Sequence, residues 1–464
     1  MDIIWTEDDI KKATRGKIQG KWNISEVSID SRKANKNSMF IALKGENTDG
    51  HNYIMQALDN GASSVLIDHL PSNAHADINY CIVKNTKEGL WDLARYNRNR
   101  LKAKIISVTG SIGKTSTKEL LKLCFSGIGK TFANYGNYNN DLGVPISISN
   151  TPIDTQYAIY EVGMNHSGEI TPLTKLIQPD IAIITTIEPI HLEFFNSVED
   201  IARAKAEIFQ GLNQNGYVIL NKDNAYFDLL VQEAKKLGIR NIISFGKDQD
   251  SDCKLLEFKE DHEGSKIKAE IFGHEINYKL KSFGIHFGLN SLAVMGAAFA
   301  LGCDLNIAAN NLGNFKAIKG RGEQHNLLFN NKNITLIDDS YNAGPPSVKA
   351  ALKVLGNYKG RRKVAILSDM RELGPDSVKI HIDLVRDISD NKIDKIIAVG
   401  KYMKELYYNL PLEKQYANFD DVDEVIEVID KYIEESDVIL VKGSLGTQIF
   451  KLVEYIITQT TENK

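Results

Sequence analysis

Apolar residues fall along this chain in two rhythms. Short unbroken runs such as KIISV from Lys104, DIAIITTI from Asp180 and DVILVKG from Asp437 are bounded by glycines and polar residues. That pattern predicts strands buried on both faces of a parallel sheet. Between them lie stretches with helical spacing, so strand and helix alternate as in doubly wound α/β folds.

Three units emerge. Residues 1–101 combine the strand-like runs SMFIAL, SSVLID and NYCIV with a helical NYIMQALDNGA, and end near the basic helical stretch LWDLARYNRNRLKAK. They predict a small α/β unit. Residues 102–318 carry KIISV, YAIYEV and DIAIITTI, each followed by a polar loop and a helix. Between 240 and 285 the character changes: KIKAEIFGHEINYKLKSFG alternates in period two, which predicts antiparallel pairing, and the helix NSLAVMGAAFALG follows. That helix is too short for a membrane span and reads as core packing. Residues 319–464 resume the alternation with ITLIDD, KVAILSD, KIIAVG and DVILVKG, a Rossmann-like third unit.

Composition narrows the function. The chain has 464 residues, and Lys+Arg 56 against Asp+Glu 60 leave a net charge of −4. No global field recruits nucleic acid or an acidic membrane, so an anionic ligand must be caught by a local site. The start, MDIIWTEDDIKK, has no apolar signal region, and a cytoplasmic enzyme is expected. Cys81, Cys124, Cys253 and Cys303 lack C-x-x-C spacing, which argues against a zinc site or disulfides.

The chemistry concentrates after KIISV. In Gly110-Ser111-Ile112-Gly113-Lys114-Thr115-Ser116 a glycine turn stands directly between a strand and a helix. Backbone N–H groups there cradle an anion, Lys114 reaches a β/γ-phosphate, and the Thr115 hydroxyl is placed for Mg²⁺. In YEVGMNHSGEI, Glu161 ends a strand and is positioned to complete a Mg²⁺ shell, although strand-end glutamates are often merely solvated. His191 follows another strand end and Lys205 lies in the helix after it. Alone, each would read as structural or solvated.

Together these motifs carry a resemblance. TGSIGKTSTKE, NYNNDLGVP, EVGMNHSGEI, HLEFFNSVEDIARAKAEI, DDSYNAGPPSVKAAL, DMRELG and VKGS occur in the order seen in the Mur ligases, and DSRKANKNSMFIALKGENTDGHNYI extends the resemblance to the N-terminal unit. Within that family the chain is most similar to members joining D-alanyl-D-alanine to UDP-N-acetylmuramoyl-tripeptide in peptidoglycan precursor synthesis. The shortened loop G-x-x-G-K-[ST] is the family's own form.

The resemblance implies an ATP-dependent ligase of three domains working through an acyl phosphate. By position it implies Lys114 on the transferred phosphoryl group, Mg²⁺ on Thr115 and Glu161, and a second Mg²⁺ on His191. It further implies a CO₂-derived carbamate on Lys205. Asn140, or its neighbour Asn139, together with Asn290 and Arg321, matches nucleotide-site positions, with Arg321 near the hinge to the third unit. One of Asp338 and Asp339 would meet the ribose. The UDP-sugar would contact Ser31, Arg32, Lys44, Thr48, Asp49, Gly50 and His51. On the amine side stand Tyr341, Asn342, Lys442, Gly443 and Ser444, and the segments SDMRELG and VKGSLGT would bind the incoming dipeptide or orient the intermediate. The chain departs from the family in Ser368 for a glycine, NAGP for NANP, and Leu445 where an arginine commonly follows KGS. The sister ligase adding the third amino acid shares the DSR and DGH patterns, and folylpolyglutamate synthetase lacks the N-terminal unit. An ATP-binding module without turnover conflicts with the intact Lys114, Glu161, His191 and Lys205. A monomer is expected of a chain whose domains must move, and the tripeptide's third residue, meso-diaminopimelate or lysine, stays open.

Overall fold

A computed structural model describes residues 3–70, 78–190, 192–261 and 263–462. Three large sheets follow one another along the chain, with a two-stranded ribbon near the start. The first has the order Lys17–Gln19, Tyr80–Ile82, Ser64–Ile67, Ser38–Ile41, Glu26–Ser28. Its pairs are parallel except at Lys17–Gln19.

In the second sheet Lys104–Thr109 sits between Tyr157–Glu161 and Ile181–Ile184, parallel to both. Successive residues of this strand enter different cores: Ile105 packs on one face, Ile106 and Val108 on the other, as a strand covered on both sides requires. Beyond Ile181–Ile184 come Tyr217–Asn221, Asn241–Gly246 and Cys253–Asp261, all parallel. The antiparallel section begins only where Gly264–Ile271 pairs with Cys253–Asp261 and His274–Leu280. The expected change of character is therefore present, but Asn241–Gly246 still belongs to the parallel part.

Helix Ile285–Ala300 packs on the Lys114–Ser126 helix and on the strands beneath it. Among the described residues no helix is long and apolar enough to cross a membrane. Cys81, Cys124 and Cys253 are buried thiols and Cys303 is partly so.

The third sheet runs Gln415–Phe419, Lys395–Val399, Lys363–Ser368, Val438–Lys442, Lys332–Asp339, Glu323–Phe329, Thr460–Glu462. Lys332–Asp339 pairs parallel with Val438–Lys442 and antiparallel with Glu323–Phe329.

The first unit is fastened to the second by buried polar groups. Asn97 donates from its side-chain amide to Ile148 O at 2.7 Å and Thr151 O at 2.9 Å. Trp5 donates from Nε1 to Ser149 O at 2.9 Å. Asn150 accepts from the Val27 N–H at 2.7 Å and donates back to the Val27 carbonyl at 2.9 Å.

Candidate active site

The glycine loop follows the central strand of the second sheet, so its neighbours are the ends of the two flanking strands. Gly110 has φ +146°, and a Cβ there would lie 2.0 Å from Thr185 Oγ1. Gly113 has φ +84°, with Asn290 Nδ2 2.9 Å from its notional Cβ. Both positions need glycine for conformation and for close approach. Ser111 N donates to Thr186 O at 2.8 Å, and its hydroxyl donates to Glu188 O at 3.1 Å. The loop is thereby tied to the segment after Ile181–Ile184.

The helix Lys114–Ser126 starts at the loop, so its free first-turn N–H groups and the positive end of its dipole lie at the cavity. Lys114 donates from Nζ to Gly110 O at 2.8 Å and Ser111 O at 3.3 Å. Burial holds its ammonium below the ordinary lysine value, with the Glu161 charge opposing.

Glu161 is 1% exposed at the end of its strand. Its Oε1 accepts from Asn139 Nδ2 at 2.9 Å, whereas Oε2 is buried without a hydrogen-bond partner. The nearest cation to that oxygen is Lys118, with Nζ 4.0 Å away. Lys118 is itself fully buried and donates to Asn134 O at 2.9 Å and Gly136 O at 3.2 Å. A buried carboxylate oxygen left unmatched beside a phosphate-type loop fits a divalent cation, because burial without a partner is otherwise costly.

Lys205 lies on helix Val198–Ala206, which Ser197 caps. It is 1% exposed, and its side chain has no hydrogen-bond or ion-pair partner among the described residues. Burial, together with the charge of Lys114, pushes its ammonium well below the ordinary lysine value. Burial and the neighbouring charge thus both favour the uncharged amine, the form of a lysine that reacts as a nucleophile. His191 lies outside the described residues.

The third sheet supplies the opposite wall. Asp338 is turned away from the cavity and accepts from Gly320 N at 2.8 Å and from Ser340. Asp339 faces the cavity and pairs with Lys442 Nζ at 2.7 Å. Lys442 also donates to Asn342 O at 3.0 Å. The Arg321 guanidinium lies 4.3 Å from the Tyr341 ring centroid, a cation–π contact.

These walls enclose a cavity of about 730 Å³. From the loop and helix, Ser111, Ile112, Gly113, Lys114, Thr115 and Ser116 line it. Glu161, Asn290, Arg321 and Tyr341 join them, as do Asn342 and Ser444. Gly110, Asp338 and Gly443 lie behind the wall. A Cβ on Gly443 would fall 2.7 Å from Ser368 Cβ.

Asn140 is exposed and accepts from Gly143 N at 2.8 Å, so it shapes a turn; Asn139 is the neighbour that lines the cavity. The cavity region also includes Lys118, Asn134, Glu188 and His286, which the sequence does not single out, and Arg371 of SDMRELG, which it places only as part of a segment. A second charged residue in KTSTKE is the available signal for Lys118, and Arg371 stands inside the DMRELG motif.

The N-terminal candidates form a separate group. Ser31 donates to Gln56 Oε1 at 2.7 Å. Arg32 is mostly exposed and pairs with Asp30 at 2.8 Å. Lys44 bridges Asp49 through the backbone, and Thr48 O accepts from Gly45 N at 2.9 Å. A Cβ on Gly50 would meet Leu43 N and O at 2.7 Å. Asp49 caps the turn through His51 N at 2.9 Å, and His51 stacks on His69 with centroids 4.2 Å apart. None of this group lines the cavity.

Three family models match successive stretches: the Mur ligase family catalytic domain at residues 23–98, the Mur ligase middle domain at 108–298, and the Mur ligase glutamate ligase domain at 321–445. The UDP-N-acetylmuramoyl-tripeptide--D-alanyl-D-alanine ligase of Rickettsia prowazekii is 38% identical over 98% of this chain and all of its own length. The Escherichia coli enzyme of that name is 33% identical over 94% of this chain and 95% of its own. Among solved structures, MurF from Acinetobacter baumannii superposes with a TM-score of 0.85 at 31% identity, covering 98% of this chain and 99% of its own. MurF from Thermotoga maritima in complex with ADP gives a TM-score of 0.77 at 25% identity, over 94% and 97% of the two chains. On the loop, the facing walls and full-length likeness together, the chain belongs to the Mur ligase family.

Proposed function

We propose that this chain is an ATP-dependent ligase that joins D-alanyl-D-alanine to UDP-N-acetylmuramoyl-tripeptide, releasing ADP and phosphate, in the making of the peptidoglycan precursor. The observation that carries this is the full-length likeness to ligases of that name, joined to a glycine loop whose lysine and unmatched glutamate face one cavity.

The roles follow from position. Residues 110–116 hold the triphosphate, with Lys114 moving from the loop carbonyls onto the transferred phosphoryl group. Asn290, packed against Gly113, and Asn139 border the nucleotide, and Asp339, paired with Lys442, faces it in place of Asp338. Thr115 and Glu161 would hold one Mg²⁺, and a carbamate on Lys205 with His191 a second. Bound there, the cations neutralise charge on the phosphates.

A substrate carboxylate oxygen attacks the γ-phosphorus and ADP leaves. The incoming amine then attacks the acyl carbon, the carbon–oxygen bond to phosphate breaks, and phosphate departs with the electron pair while the nitrogen loses a proton. Residues 1–101, with Ser31, Arg32, Lys44 and the stretch Thr48, Asp49, Gly50, His51, hold the UDP-sugar. Residues 102–318 hold ATP, and residues 319–464, through Tyr341, Asn342, Lys442 and Ser444, receive the amine. The chain works as a cytoplasmic monomer.

Phosphate release from ATP with UDP-N-acetylmuramoyl-tripeptide, and D-alanyl-D-alanine, single amino acids or glutamate in separate reactions, tests the reading. Turnover is expected only with the dipeptide. Turnover with UDP-dipeptide and a diamino acid, and none with D-alanyl-D-alanine, would move the chain to the sister activity.

A further inference from the structure

The cavity's cations differ in what they already touch. Lys114 lies on loop carbonyls, Lys442 is paired with Asp339, and Arg321 is stacked on Tyr341. Arg371 also lines the cavity, yet it has no ion-pair partner among the described residues. Its side chain is exposed, while its backbone is held from several sides.

Asp369 Oδ1 accepts from Tyr402 N at 3.0 Å and Met403 N at 2.8 Å. The Met370 N–H donates to His381 Nε2 at 3.0 Å, and Arg371 N donates to Ser444 Oγ at 3.0 Å. The next residue, Glu372, takes φ +63°, a left-handed conformation uncommon for glutamate that turns the chain sharply after the arginine. The guanidinium rests on Gly446, where an added Cβ would lie 2.3 Å from Arg371 Nη1. Gly446 therefore provides a seat that a side chain would close.

We propose that Arg371 receives the terminal carboxylate of the incoming dipeptide and so selects an amine that carries one. This deepens, and rests on, the function proposed above. A guanidinium offers two parallel N–H donors that match a carboxylate, and a pre-held backbone lowers the ordering needed on binding. With the carboxylate on the rim formed by Arg371 and Gly446, the dipeptide's amine end is left to point toward the wall formed by Lys114 and Glu161.

The test crosses a ligand change with a residue change. Initial rates are measured for D-alanyl-D-alanine and for its C-terminal amide, at saturating ATP and UDP-tripeptide, with the wild-type chain, R371M and R371K. The wild type should prefer acid to amide in kcat/KM by about 10–100-fold, the range of a hydrogen-bonded charge. In R371M the preference should fall to near unity through the dipeptide KM, and R371K should restore part of it. An undiminished preference in R371M, or a rise in the UDP-tripeptide KM in place of the dipeptide KM, overturns the assignment of Arg371. Failure of the wild-type chain to use the dipeptide at all overturns the proposed function itself, and the assignment with it.

Discussion

Asn139 donates a 2.9 Å hydrogen bond to Oε1 of Glu161, and this leaves Oε2 of the same carboxylate buried and unmatched. The asparagine thus fixes which oxygen remains available. Replacing Asn139 with alanine should weaken Mg²⁺ affinity without removing the ligand itself, raising the half-saturating concentration about 10–100-fold, the usual effect of an orienting partner. Glu161→Gln should lower the rate even at saturating Mg²⁺. Phosphate release followed over a Mg²⁺ titration separates the two, and an unchanged titration in Asn139→Ala would contradict the orienting role.

Lys205 should behave as a metal-site residue despite its positive parent charge. Lys205→Ala is expected to lose on the order of 10²–10³-fold in kcat, the scale of one removed electrostatic stabiliser. Short carboxylic acids in the assay should restore part of the loss, because they supply the oxygen donor that a carbamate would. Full activity in the variant, or a wild type indifferent to removal of CO₂, would count against the carbamate.

Two histidines set an acid limit on stability. Burial pushes His286 down to about 4, and it also lowers His381, whose Nε2 accepts the Met370 N–H. The unfolded chain, with ordinary imidazoles near about 6.5, then binds more protons than the folded chain between those values. Unfolding free energy consequently rises with pH through that window and is lost as pH falls toward about 4. Urea midpoints measured from neutral pH downward should decline, and His381→Gln should flatten the slope. A midpoint independent of pH over this range would contradict the account.

Asn97 ties two helices through two carbonyls, at 2.7 and 2.9 Å. Asn97→Leu leaves both without that donor in a buried setting and should destabilise the chain by about 1–3 kcal/mol. The expected result is a lower thermal midpoint with the ATP KM retained, measured by circular dichroism and by phosphate release.

Much of the fold could be read from apolar runs, because Lys104–Thr109, Ile181–Ile184 and Val438–Lys442 are buried on both faces. Glu323–Phe329 went unread since its first four residues, Glu-Gln-His-Asn, are polar and only pairing with Lys332–Asp339 makes it a strand. The loop lysine and Glu161 carry a motif. The choices between Asn139 and Asn140, and between Asp338 and Asp339, do not: adjacent residues differ in facing, and only the fold says which turns inward. DMRELG marks the segment but not which of its side chains meets the cavity: the candidacy of Arg371 depends on what Gly446 and Ser444, more than seventy positions away, leave open beside it.

The Asn150 amide has a consequence for solubility. Glu26–Ser28 is the outer strand of the first sheet, and Val27 points its N–H and carbonyl away from the neighbouring strand. One side chain of the middle unit meets both groups, as a further strand would. Cut free as a fragment, the first unit would carry a bare β-edge, and two copies would find in each other the partner that Asn150 supplies.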